Sequence, residues 1–286
     1  MGTDAERFAE QVWSAPTAFR DRLFEGKVVL VTGGGSGIGL AIALAFARLG
    51  ARVAICGRKA DRLAGAVAFA AGKGLTLFAQ AADIRETVQV AALFDAVDAD
   101  CGPPDILANN AGGQFPQASI GFSVKGWNAV INTNLNGTWY MMQEAARRWR
   151  ARGAPGVIVN IVAPTERGMP GIAHTIAARA GVVGLMNTVC VEWAPLGIRV
   201  NCLAPGLIDT GGLAVYPPEA HKEFHKANPM KRTGTATEIS EACVFLASPS
   251  ASFVNGALFH VDGGFRQWGE LWTAGRPDYF TFPDTA

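Results

Sequence analysis

Residues 32–39 read TGGGSGIG. Gly33, Gly37 and Gly39 have no Cβ, so the backbone can turn sharply there and come close to a ligand. Such a run can bind phosphate if a helix follows it. That helix would open with unpaired N–H groups and the positive end of its dipole facing the turn. A second chemical signal is Cys56-Gly57-Arg58-Lys59. The end of the second strand of such a unit is where an acid would meet the 2′-hydroxyl of an adenosine ribose. Two cations stand there instead, and Arg58 offers a planar fork to phosphate oxygens. Together these residues predict a dinucleotide site that prefers NADP(H) to NAD(H). The alternatives are an ordinary glycine-rich turn, with Arg58 and Lys59 merely opening a solvated helix.

The elements needed to hold these groups can be read on both sides. An apolar run at 28–31 enters the turn, and an apolar, alanine-rich run at 40–49 leaves it. That gives strand, turn and helix, the context in which a glycine-rich run reads as a nucleotide site. Further strands are predicted at 53–56, 75–81, 106–108, 157–161, 198–203 and 258–261. Helices are predicted at 87–99, over one long region at 123–152, and at 174–193. Another runs to Ala247 from the capping box Thr235-x-x-Glu238. No period of a repeat protein is present. Strand and helix alternate, so the expected fold is α/β: one Rossmann-type, doubly wound parallel sheet of about seven strands with helices on both faces. Ligands should gather at the C-terminal ends of the strands.

Bulk properties narrow the function. The chain has 286 residues, 49% of them hydrophobic, and a net charge of +1. One large α/β domain spanning 1–286 accounts for that length. The charge gives no support for a nucleic-acid partner. The five cysteines, Cys56, Cys101, Cys190, Cys202 and Cys243, form no C-x-x-C pair. That fits a reducing, cytoplasmic setting and argues against a disulfide framework or a metal site. All but Cys101 lie in apolar surroundings and read as core residues. The first ten residues carry acids and no apolar h-region, so no signal peptide is expected there. Arg48 and Arg52 interrupt the best candidate for a membrane span.

Several spaced motifs together resemble the short-chain dehydrogenase/reductase family. They are Thr32-Gly33-x-x-x-Gly37-x-Gly39, Asp83 after the third strand, Asn109-Asn110-Ala111-Gly112, Asn134, and Pro205-Gly206-x-x-x-Thr210. They span about residues 25–264, leaving extensions at 1–24 and 265–286. The resemblance implies that the turn, through Gly33, Ser36, Gly37, Ile38 and Gly39, holds the pyrophosphate. It implies that Asp83 and Ile84 meet the adenine and that Asn110, Ala111 and Gly112 line the cofactor path. Pro205, Gly206, Ile208 and Thr210 would bind the carboxamide side of the nicotinamide.

The family pattern then breaks. Most members carry a Ser after the fifth strand, then Tyr-x-x-x-Lys on the next helix. Here Val162 and Ala163 follow the strand, Thr175 stands at the Tyr position and Arg179 at the Lys position. Positions 175 and 179 still share a helix face. Reducing a ketone needs a proton donor of suitable pKa beside the nascent alkoxide. A Thr hydroxyl is a far weaker acid than a phenol, and shorter. Arg179 keeps a fixed charge and can fork onto ribose hydroxyls, but it does not pass protons on. Such a site suits a reaction whose intermediate needs charge stabilisation more than rapid oxygen protonation. Hydride addition to the β-carbon of an α,β-unsaturated thioester is one, since its enolate is held by hydrogen-bond donors.

The stretches Gly112-Gly113-Gln114-Phe115, Lys125-Gly126-Trp127-Asn128-Ala129-Val130, 159–165 and Ala177-Ala178-Arg179-Ala180-Gly181 are similar to the peroxisomal trans-2-enoyl-CoA reductases. That resemblance implies NADPH-dependent reduction of a 2-enoyl-CoA in lipid metabolism, by a homo-oligomer (dimer or tetramer). The related 2,4-dienoyl-CoA reductases keep a small hydroxyl residue at the position of Thr175. Their separate tyrosine falls near Pro164 here and does not transfer.

Thr175, Arg179, Asn134 and Thr165 are therefore the catalytic candidates, and Gln114 and Phe115 the candidates for the acyl pocket. Each has a plainer alternative. Thr175 could fill the space of a lost ring, Asn134 could order backbone at a helix irregularity, and Gln114 and Phe115 could pack a loop. His174 is expected to point about 100° away from Thr175. Of the three tyrosines, Tyr216 lies in the expected lid at 209–232 and could enter a closed site. His221, Lys222, His225 and Lys226 could face CoA phosphates or simply form a solvated basic face. The aromatic tail after Gly264 should pack on the body or across a subunit interface. Two other functions stay open: a dehydrogenase of a hydrophobic, terpenoid-type alcohol or aldehyde, and a nucleotide-binding scaffold without catalysis.

Overall fold

The computed structural model describes residues 3–216, 220, 222 and 224–267. Seven parallel strands form one sheet in the order β3-β2-β1-β4-β5-β6-β7. They are β1 (Val28–Thr32), β2 (Arg52–Gly57), β3 (Leu77–Ala81), β4 (Ile106–Asn109), β5 (Gly156–Ile161), β6 (Ile198–Pro205) and β7 (Leu258–Val261). β3 starts two residues later than the apolar run suggested. Every residue of β1 and β4 is buried, which is why both read as unbroken apolar runs rather than alternating ones.

The helices are α1 (Asp4–Ser14), α2 (Gly37–Arg48), α3 (Ala60–Gly72), α4 (Thr87–Asp100), α5 (Val124–Ile131), α6 (Thr138–Arg152), α7 (Ala173–Glu192) and α8 (Ala236–Ala247). Two apolar clusters cover the two faces of the sheet. One includes Phe46, Ile42 and Leu246; the other includes Phe94, Met141 and Trp149. Each such side chain contributes about 1.5–3 kcal/mol on burial. The leader belongs to the body: Ala9 and Val12 of α1, with Phe24, join the first cluster. Arg48 holds it down by donating to the Ala15 carbonyl at 2.7 Å.

The long helix expected at 123–152 is broken. Between α5 and α6 the chain makes a π-helical turn over Asn132–Gly137. Such a turn carries one extra residue and often marks a functional site. The strand order reverses between β1 and β4, so their carboxyl ends open a crevice at the switch point.

Candidate active site

The crevice is framed by hydrogen bonds between strand ends. The Thr32 hydroxyl accepts from the backbone N–H of both Asn110 and Ala111, each at 2.9 Å. The Asn110 side chain donates back to the Thr32 carbonyl at 3.0 Å. A Cβ on Gly39 would lie 2.3 Å from the Gly33 carbonyl oxygen, and Gly33 itself turns at φ +68°. Only glycine fits either position. Ser36 precedes α2 without a side-chain cap, so the first N–H groups of that helix face the crevice. Thr210, where the lid begins, passes the same turn: a Cβ on Gly37 would come 3.7 Å from it. This cradle fits the pyrophosphate of a dinucleotide.

Farther along β2 and β3, Arg58 is exposed. The Asp83 carboxylate is engaged by Arg85, whose Nε donates to both oxygens at 2.9 and 3.0 Å. Arg85 first, with Arg58 also contributing, holds the Asp83 carboxyl below its usual value. Arg85 was not singled out from the sequence, although its place two residues after Asp83 carries that pairing. Ile84 is buried and packs against Gly137 of the π turn.

At the other end of the crevice lies α7. Thr175 is 4% exposed and Arg179 8%. One guanidinium nitrogen of Arg179 sits where a Cβ on Gly112 would come within 2.2 Å. Its Nη1 has no hydrogen-bond partner among the described residues. Burial pushes this group down to about 10, still well above neutral pH, so the cation persists. Cys202 of β6 is near enough to feel its charge, and burial pushes that thiol up to about 12. Cys202 is thus a neutral core residue beside that cation. Cys190, read as core, is only half-buried.

The π turn aims Asn134 at the Gly112-Gly113 segment. Its Oδ1 accepts from the Gly113 N–H at 2.9 Å and its Nδ2 donates to the Gly113 carbonyl at 3.0 Å. Both ends of the amide order backbone. Thr165 is half-buried in the loop between β5 and α7, and its N–H donates to Glu166 at 2.9 Å. Glu166 in turn meets His260 of β7 at 2.8 Å.

His174, read from the sequence as structural, is held by backbone and aromatic contacts. Its ring folds back along the helix, and Nδ1 lies 2.8 Å from the Thr175 N–H and 3.3 Å from the Thr175 hydroxyl. Phe122 stacks on this imidazole with ring centres 4.4 Å apart, and Phe115 meets it edge-on at 4.6 Å. Burial holds it below its usual pKa, so it stays neutral. The Thr175 N–H is shared between Nδ1 and the Ile172 carbonyl, the latter at 2.9 Å. Phe122 and His174 were invisible as partners in the sequence because two helices, a π turn and strand β5 separate them.

Gln114 does not simply pack a loop. Its Nε2 donates to the Tyr216 hydroxyl at 2.7 Å, across 102 residues. Tyr216 also packs edge-on against Phe224. Of the basic lid residues, Lys222, His225 and Lys226 are exposed, and Arg232 pairs with Glu238 at 2.6 Å. Pro217, Pro218, His221 and the tail aromatics from Trp268 onward lie outside the described residues. Among the described residues no acidic, cysteine or histidine cluster could hold a metal ion. No helix there is long and apolar enough to cross a membrane.

A family model described as enoyl-(acyl carrier protein) reductase matches residues 33–266. A probable 2,4-dienoyl-CoA reductase of Bacillus subtilis is 37% identical over 254 residues, covering 85% of this chain and 97% of that protein. Among solved structures, the citronellol catabolism dehydrogenase AtuB of Pseudomonas aeruginosa is 38% identical with a TM-score of 0.79. That match covers 88% of this chain and all of that one. A putative 2-deoxy-D-gluconate 3-dehydrogenase of Agrobacterium tumefaciens, crystallised with bound NADP, is 33% identical with a TM-score of 0.79. It covers 87% of this chain and 100% of that one.

Proposed function

The chain belongs to the short-chain dehydrogenase/reductase family, an oxidoreductase family using NAD(P), and from that premise we propose that it reduces the C2=C3 double bond of a trans-2-enoyl-CoA with NADPH. One observation carries the reading: a buried Thr175, not a phenol, shares the α7 face with a buried, incompletely partnered Arg179. When bound, the cofactor supplies a hydride. Gly33, Ser36, Gly37, Ile38 and Gly39 hold its pyrophosphate, and Asn110 to Gly112 line its path. Arg58 meets the 2′-phosphate, which is the basis for preferring NADPH. Asp83 and Ile84 border the adenine, and Pro205, Gly206, Ile208 and Thr210 the nicotinamide. Arg179 forks onto the nicotinamide ribose and places positive charge under the reacting end. The Thr175 hydroxyl donates to the thioester oxygen as the enolate develops there. Thr165 offers a second hydroxyl, and Asn134 keeps the Gly112-Gly113 wall in place. Phe115, with Phe122 and His174, forms an aromatic side to the acyl pocket.

The name of the Bacillus relative supports a fatty acyl-CoA substrate. That of the Pseudomonas neighbour favours a second reading, oxidation or reduction of a hydrophobic terpenoid alcohol or aldehyde. NADPH oxidation with crotonyl-CoA or a longer enoyl-CoA separates them. Turnover of the thioester is expected; turnover of free aldehydes or alcohols alone would hand the function to the second reading. Tight NADPH binding with no turnover of either would leave a nucleotide-binding scaffold. We further propose one domain with a lid at 209–232, acting in the cytoplasm as a homo-oligomer, dimer or tetramer. The unpaired cysteines support the reducing compartment.

A further inference from the structure

The site needs a proton as well as a hydride, and α7 does not supply a good acid. A phenol does approach, from the lid. Gln114 lies between Gly112, whose Cα abuts Arg179, and Phe115, whose ring meets His174. The segment 112–115 therefore runs along the first turns of α7, with Gln114 a few ångströms from both contacts. Tyr216 is tied to that Gln114 by the 2.7 Å bond. The half-buried phenol therefore lies beside the 112–115 segment, which borders the first turns of α7. The direction of the bond matters. Gln114 donates and the phenol oxygen accepts, so the phenol keeps its own O–H hydrogen for another acceptor. Burial holds the phenol above its ordinary pKa, so the proton stays on the oxygen until a strong base such as an enolate takes it. Phe224 packs edge-on against the same ring.

We propose that Tyr216 is the proton donor of the reaction and that Gln114 is its positioning residue. This rests on the enoyl-CoA reading. Hydride adds to C3, the C2=C3 π electrons move to the thioester oxygen, and the enolate is held by Thr175. C2 of the enolate then takes the Tyr216 proton, forming the C2–H bond as the O–H bond breaks. The phenolate regains a proton from water at the half-exposed mouth.

The test compares wild type, Tyr216→Phe and Gln114→Met in NADPH oxidation with crotonyl-CoA, in H2O and D2O, with NADPH binding measured separately. Tyr216→Phe should bind NADPH normally and lose about 100-fold or more in kcat. In D2O the wild-type product should carry deuterium on one face of C2, and the residual Tyr216→Phe product on both. Gln114→Met, which keeps the phenol, should lose about tenfold in kcat and keep the single-face label. A Tyr216→Phe protein with unchanged kcat and label, and only a raised KM, overturns the proposal and makes Tyr216 a lid contact. If wild type ignores enoyl-CoA but reduces aldehydes, the enoyl reading fails separately. The inference then stands or falls on whether Tyr216→Phe loses kcat on the aldehyde. A wild-type protein inactive on both overturns both.

Discussion

The two ends of one crevice are built on different principles. The cradle at β1 and α2 is made of backbone: a turn, uncapped N–H groups, and glycines whose places no side chain can take. The chemical end is made of side chains from four distant segments: Gln114 and Phe115, Phe122, the α7 face, and Tyr216. The first would hold a phosphate whatever the substrate is. The second can be rewritten one residue at a time without disturbing the first. The family's usual tyrosine and lysine have been replaced here by Thr175 and Arg179, while the turn beside them follows the family pattern.

Substitutions can break or sharpen this division. The largest effect belongs to Gly39→Ala. Its Cβ meets the Gly33 carbonyl at 2.3 Å, and such a clash costs about 1–3 kcal/mol or more. NADPH affinity should fall by about 100-fold or more, measured by fluorescence titration, together with a lower Tm. Comparable affinity in this variant would mean that the cradle is not where the nucleotide sits. Next is Arg179→Met. Activity should fall about 100-fold, while the Tm of the cofactor-free protein holds or rises, because a buried, poorly partnered cation has been removed. A large loss of stability instead would make Arg179 structural. A smaller effect comes from Arg58→Ala, which removes one charge-assisted contact. The preference for NADPH over NADH, read from the two kcat/KM values, should drop about tenfold.

The smallest concerns pH. His174 is neutral when folded because burial holds its pKa below the ordinary value. The unfolded chain takes up a proton as pH falls below about 6.5, so the folded state loses stability on the acid side. His174→Phe removes that uptake. The fall in urea midpoint between about pH 7 and about pH 5 should be shallower in the variant than in wild type.

The same division explains what could be read from the sequence. The cradle is local: Thr32 to Gly39 sit between an apolar strand and an apolar helix, and spacing alone identifies them. The parallel sheet followed from alternating apolar runs. The Gln114–Tyr216 bond has no such signature, since it joins a β4 loop to a lid 102 residues later. The π turn was legible only as a possible helix irregularity at Asn134, because Asn132 to Gly137 carry polar residues that an amphipathic helix would also carry. It was its hydrogen bonds to Gly113 that gave Asn134 its role. Helical angles give the direction of the His174 Cβ but not the turn of the ring, so its packing against Phe115 and Phe122 could not be read from the sequence.

The exposed cost of Arg179 has a kinetic corollary. A cation held away from water, with one nitrogen unmatched, raises the free energy of the empty protein and lowers that of the nucleotide complex by comparison. On the enoyl-CoA reading, entry of the dinucleotide would complete the surface on which the acyl group rests. Turnover should then follow a compulsory order, nucleotide first and thioester second, with the oxidised nucleotide leaving last.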